Sequence, residues 1–115
     1  MPSVKKIEGI IRPAKLGSLQ DELERCGVSG LTVSQVMGHG KQKGYAEVYR
    51  GKEILVRLLP KVKVETVVAD AQVAQVVEAF LRAARTGEVG DGKIFISPVE
   101  QVIQIRNGAR DEEAL

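Results

Sequence analysis

Tryptophan is absent, and the aromatic complement is two tyrosines and two phenylalanines, too few for the ring platforms on which nucleic-acid-binding domains stack bases. Cysteine is scarce as well. Cys26 stands alone, so neither an intramolecular disulfide nor a cysteine zinc site can be built. Its register with Leu16, Leu19 and Leu23 marks it as a small buried hydrophobe rather than a reactive thiol. No sign of charge dominates either: the formal net charge is +2, with acids and bases mixed along the chain and no concentrated basic face for a polyanion. No apolar run approaches the roughly 18 residues of a membrane span, and the first residues lack the apolar core of a signal peptide. The expectation is a soluble cytoplasmic protein that neither binds nucleic acid nor inserts into a membrane.

What the chain does have is the material for one core: 115 residues with 43% hydrophobic content fit a single domain spanning 1–115. Val4 to Ile11 reads as a strand ended by Pro13, and Leu16, Leu19, Leu23 and Cys26 recur at helical spacing until Gly27. Leu31 to Val36 alternates like a strand with one covered face, and Val62, Val64, Thr66 and Val68 mark a third strand. Val73, Val76, Val77, Phe80 and Ala84 give a second amphipathic helix that stops before Gly87. Lys93 to Ser97 is a fourth strand, followed by a short extended piece from Val99 to Arg106. The order β-α-β-β-α-β predicts an α+β, ferredoxin-like fold, a four-stranded antiparallel sheet with two helices on one face. An open apolar face on so small a sheet predicts oligomerisation.

The connection between the second and third strands, about 38–57, is far longer than a hairpin turn requires. Glycines stand at both of its feet, charges lie between, and Val48, Tyr49 and Ile54 add apolar surface that a solvated linker does not need. It reads as an arm that binds a partner, the alternative being a merely extended hairpin.

The run Gly87-Glu88-Val89-Gly90-Asp91-Gly92-Lys93-Ile94-Phe95 lies between the second helix and an apolar strand. Its glycines let backbone N–H groups approach an anion closely and Lys93 adds a charge, which suits a phosphate cradle. A tight helix-to-strand turn without any ligand uses the same residues.

Three segments, Gly40-Lys41-Gln42-Lys43-Gly44, Leu59-Pro60-Lys61-Val62-Lys63-Val64-Glu65 and Arg85-Thr86-Gly87 through Phe95, together resemble the PII nitrogen-regulatory signal transducers. The similarity extends from Lys5-Lys6-Ile7 through Arg106, and Thr-Gly-x-x-Gly-Asp-Gly-Lys-Ile-Phe after an amphipathic helix is its most specific motif. The resemblance implies a homotrimer with ATP or ADP in each inter-subunit cleft and a protruding loop that engages target proteins. It puts Gly90, Asp91, Gly92 and Lys93, within a phosphate loop at about 86–93, at the nucleotide phosphates, with Arg106 and Lys41 around the cleft. Ile10 and Gly38 match positions near base and ribose, and Thr32 and Val67 match the cleft wall. The resemblance further implies 2-oxoglutarate as effector, bound among Gly40, Lys43 and Gly44 through a magnesium ion held by Gln42, with Lys61 meeting its distal carboxylate. One amide oxygen suits Mg²⁺, which takes most of its ligands from phosphate, substrate and water.

The chain departs from that pattern in two places. Tyr49-Arg50-Gly51-Lys52-Glu53 is followed by Ile54, where the family's uridylylated tyrosine stands, and a side chain without a hydroxyl accepts no nucleotidyl group. Lys52 likewise replaces a serine that some relatives modify. Gln104-Ile105-Arg106 carries a neutral residue where the family commonly has a second arginine, a loss of about 1.5–3 kcal/mol of charge-assisted contact. The expectation is a non-catalytic regulator that signals by ligand occupancy through Tyr49, Arg50, Lys52 and Ile54 of its arm. The implied targets are an ammonium transporter or nitrogen-assimilation enzymes and regulators. The alternative is a small phosphate-cleaving enzyme using Asp91, Lys93 and Lys61. It lacks a nucleophile, and His39, the only histidine, has no evident carboxylate partner and reads as a loop residue.

Overall fold

The computed structural model describes residues 3–39, 45–49, 52–56 and 58–115. Strand β1, Val4–Ile11, lies inside a four-stranded antiparallel sheet with β5, Leu59–Ala69, on one side and β6, Lys93–Val99, on the other. Strand β2, Thr32–Gly38, pairs with the far side of β5. Among the described residues, strands β3, Tyr45–Tyr49, and β4, Lys52–Val56, pair with each other and form a two-stranded sheet apart from the main one. Helix α1, Leu16–Arg25, follows β1, and α2, Val73–Ala84, joins β5 to β6. The β-α-β-β-α-β order is present, with the hairpin inserted between its second and third strands.

Local chemistry explains where these elements start and stop. Pro13 opens a 3-10 turn ahead of α1, where a missing N–H costs nothing. At the other end of α1, Gly27 has φ +79° and donates to Glu24 O at 3.0 Å, while Val28 donates to Leu23 O at 3.0 Å. That pair of bonds is a Schellman cap, and it satisfies carbonyls that the helix itself leaves orphaned. Strand β5 starts at Leu59, earlier than the Val62 expected from alternation. Pro60 breaks the apolar pattern, yet it is tolerated because that stretch pairs with β2 alone; β1 joins only from Val62 onward.

The core lies between the helices and one face of the sheet. Ile7, Leu19, Leu23, Val64, Val76 and Phe80 are fully buried there, and the half-buried Cys26 packs against them as a small hydrophobe. Phe80 reaches the sheet at Gly9, where an added Cβ would come within 2.2 Å of the ring. The missing side chain on β1 is therefore the seat of the largest core residue.

The opposite face of the sheet is open, but its centre is charged rather than apolar, which corrects the expectation. Glu8 and Glu65 stand directly opposite each other on β1 and β5, a repulsive pairing if left alone. Lys63 bridges the two carboxylates at 3.5 and 3.4 Å, and Lys6 reaches Glu65 at 3.2 Å. Period-two alternation marks which residues share a face and says nothing about whether that face is oily. The stretch after β6 also differs from the extended piece expected. Beyond Val99 the chain makes a narrow finger closed by a bridge between Ile103 and Arg110.

Gly9→Ala is expected to destabilise the fold by about 1–3 kcal/mol through overpacking, read as a drop in the urea midpoint. Combining it with Phe80→Leu should cost less than the two single changes summed. Strict additivity would show that the ring does not occupy the space above Gly9.

Candidate functional site

At one end of the open face, β2, β5, β1 and β6 bring Gly38, Lys61, Ile10 and Lys93 together. These residues, with His39, Leu59, Phe95 and the Glu88-to-Gly92 loop, line a cleft of about 560 Å³, a size suited to a small-molecule ligand. The register accounts for the meeting. Ile10 pairs with both Lys63 and Lys93, and Gly38 stands opposite Leu59, so four distant segments finish at one edge.

The loop that closes this edge is built around Asp91. Its carboxylate accepts from Thr86 N at 2.7 Å, Thr86 Oγ1 at 2.5 Å, Gly87 N at 2.8 Å and Arg12 Nε at 3.2 Å. The Thr86 hydroxyl and amide, with Gly87 and Arg12 adding to them, hold the Asp91 carboxyl well below the usual carboxylate range. Arg12 also donates to Val89 O at 2.8 Å, and Lys61 donates to Gly90 O at 2.8 Å. Two cations thus hold consecutive loop carbonyls. Burial, and then repulsion from Arg12, lower the pKa of Lys61 against the opposing pull of Asp91. Gly92 has φ +99°, and a Cβ there would lie 1.6 Å from Ile10 O. No other residue brings the loop backbone this close to β1.

The residues expected from sequence separate into groups. Ile10, Gly38, Lys61, Gly90, Asp91, Gly92 and Lys93 meet in the cleft. Thr32 and Val67 do not: Thr32 is opposite Glu65 and Val67 opposite Lys6. Thr32 lies six residues from Gly38 along β2, about 20 Å at the usual strand rise. Arg106 sits in the finger beyond β6 and does not line the cleft. Gly40, Lys41, Gln42, Lys43, Gly44 and Arg50 lie outside the described residues. Tyr49, Lys52 and Ile54 fall on the hairpin, Tyr49 opposite Lys52 and Ile54 opposite Glu47.

Sequence patterning does not single out Arg12, the arginine that ties β1 to the loop. A signal for it exists in the register: it follows Ile11, which pairs with Val62, and so must emerge beside Lys61. Leu59 and Phe95 join the cleft from their places on β5 and β6, and Glu88 and Val89 from the glycine run. Among the described residues no group of three or more His, Cys, Asp or Glu side chains is placed to hold a metal ion.

The family model described as Nitrogen regulatory protein P-II matches residues 4–109. The chain is 57% identical over 112 residues to the "Nitrogen regulatory protein P-II" of Nostoc punctiforme and 56% identical over 112 residues to that of Microchaete diplosiphon. Each alignment covers 97% of this chain and 100% of the relative. The solved structure of B. subtilis GlnK superimposes with a TM-score of 0.81 at 39% identity, covering 98% of this chain and 99% of that one.

Because the folded-state pKa of Asp91 is depressed, the stability it supplies is present above the ordinary carboxylate range, near pH 4, and is lost as pH falls further. Asp91→Asn is therefore expected to be less stable than the parent at pH 7 and to show a flatter acid limb when unfolding midpoints are followed downward. Parallel pH curves for the two proteins would remove Asp91 from its place at the centre of the loop.

Proposed function

The chain belongs to the P-II family of nitrogen regulatory proteins, a signalling family that is not enzymatic, and on that premise we propose that it is a nucleotide-gated regulator of target proteins. ATP or ADP occupies the cleft, with its phosphates against the Gly90-Asp91-Gly92-Lys93 backbone and the Lys93 ammonium. The observation that carries this reading is the convergence of Ile10, Gly38, Lys61 and that loop on one cleft. A glycine backbone without side chains, next to fixed cations, compensates a polyphosphate at no steric cost.

The donor set fits this ligand at the loop. Gly87, Gly90 and Gly92 all have positive φ, as successive turns of an anion-binding concavity require. Asp91 differs from its neighbours. Its oxygens are spent on Thr86, Gly87 and Arg12, so its part in phosphate binding is to shape the loop. Thr32, Val67 and Arg106 belong to the facing half of a cleft shared between subunits, which accounts for their distance from the loop within one chain. A homotrimer gives each cleft both halves.

Magnesium and 2-oxoglutarate complete the proposed site, with Gln42 as the protein ligand to the metal and Lys61 as the partner of the distal carboxylate. Gln42 would hold the magnesium ion, which would supply charge neutralisation at the anionic ligands. Occupancy sets the arm at about 38–57, which a target protein reads. Ile54 has no acceptor oxygen, so signalling proceeds without uridylylation. The target class is an ammonium transporter or a nitrogen-assimilation enzyme or regulator.

Isothermal titration calorimetry should register ATP and ADP binding, and 2-oxoglutarate binding that requires both ATP and Mg²⁺. Undetectable heat with every adenine nucleotide would end the sensor reading. Gln104→Arg is expected to tighten ATP binding about tenfold or more, the return on one charge-assisted contact. Unchanged affinity in that variant would show that position 104 does not face the phosphates.

A further inference from the structure

The finger beyond β6 is closed by an unusual arrangement at its neck. Asp111 has φ +54°, making it the one non-glycine residue with positive φ among those described. In that conformation its backbone N–H donates to Val102 O at 2.8 Å, and its own Oδ1 accepts the Val102 N–H at 3.3 Å. Both polar backbone groups of Val102 are thus taken by one residue, one through the main chain and one through the side chain. Above this neck come the Ile103–Arg110 bridge, a bond from Gln104 N to Ala109 O at 2.8 Å and one from Gly108 N to Gln104 O at 2.8 Å. Ile105 and Arg106 sit at the tip, Ile105 fully exposed.

The left-handed region is sterically unfavourable for most residues and is entered readily only by glycine, asparagine and aspartate. Aspartate alone combines that tolerance with a charged acceptor, and the neck uses both. Arg106 makes no side-chain hydrogen bond or ion pair with another described residue, so what limits its aim is the backbone it springs from. An arginine loses substantial rotamer entropy on binding. A fixed origin confines its search to the side chain alone.

We propose that Asp111 is a positioning residue for nucleotide recognition: it clamps the neck of the finger and so aims Arg106 at the phosphates. This rests on the reading above that Arg106 meets a nucleotide held by the loop of a neighbouring copy. Asp111 itself touches no ligand. Its effect is transmitted through the Val102 backbone and the turn.

The test compares Asp111→Ala, Asp111→Asn, Asp111→Gly and Arg106→Ala in the full chain, with calorimetric titration of ATP and of adenosine. Arg106→Ala should weaken ATP binding about tenfold or more, and Asp111→Ala about three- to tenfold, while adenosine affinity stays level in both. Asp111→Asn, which keeps an acceptor and tolerates positive φ, should stay nearest the parent. Asp111→Gly, which keeps only the backbone conformation, should fall between, and it replaces the alanine variant if that one fails to fold. The double change Arg106→Ala with Asp111→Ala should bind ATP no more weakly than Arg106→Ala alone.

Equal losses for ATP and adenosine would overturn the proposal in favour of a merely structural role. Parental ATP affinity in both the alanine and glycine variants would overturn it too. If Arg106→Ala leaves ATP binding unchanged while nucleotide still binds, the phosphate contact does not exist and the proposal falls with it. A loss in Arg106→Ala without one in the Asp111 variants refutes the clamp and leaves the phosphate reading standing.

Discussion

One carboxylate organises the site. Asp91 takes hydrogen bonds from the residues that follow α2 and from the arginine that ends β1, so the end of a helix, the glycine loop and a central strand are tied at one point. Without it the amides of Thr86 and Gly87 would have to find other acceptors, and Arg12 would keep only Val89 O. Gly92 then lies against Ile10 O, an approach that a side chain would prevent. The cleft edge owes its shape to those contacts within the chain. Preorganisation of this kind lowers the ordering cost that binding must meet.

The open face constrains assembly in a comparable way. Its centre is a row of half-buried ion pairs among Lys6, Glu8, Lys63 and Glu65. Hydrogen bonds from Lys6 and Lys63 hold the Glu65 carboxyl below the usual range, while Glu65 and Glu8 raise the pKa of Lys63. Each charge is satisfied within the chain, so the face does not depend on a partner to neutralise it. An oily face would adhere to many surfaces. A compensated charged face instead favours partners whose own charges and shape match it, because misplaced like charges are penalised. On the trimer reading, specificity between copies comes from this pattern rather than from bulk hydrophobicity.

Much of this architecture is legible in the amino-acid order, for physical reasons. Helices α1 and α2 announce themselves because Leu16, Leu19, Leu23 and Val73, Val76, Phe80 repeat at the helical period, and Gly27 stops the first where a left-handed residue is required. The glycine loop is readable because Gly87, Gly90 and Gly92 stand where positive φ is needed. What stays hidden depends on pairing across the sheet. Arg12 matters only because β1 and β5 align so that it meets Asp91 and neighbours Lys61, and no local pattern encodes that alignment. The early start of β5 is masked by Pro60, and the finger by its lack of any period. Thr32, Val67 and Arg106 enter the proposed site by resemblance alone, and within one chain they lie away from the loop.

Arg12 and Lys61 tie the glycine loop to the sheet. Both are cations, they repel one another, and each is held against a carbonyl of the same loop, Val89 O and Gly90 O. The Lys61 ammonium carries three N–H donors, so an anion beside it can share the group with Gly90 O. Lys61 also lies on β5 only two residues beyond Leu59, where that strand continues into the arm at about 38–57. Contacts made by its ammonium therefore bear on the loop and on the strand end together. A ligand shifts a conformational equilibrium only by the difference in its contacts between the two states. On the proposed reading, the Lys61 ammonium is one place where such a difference can arise, because it already donates to Gly90 O of the loop.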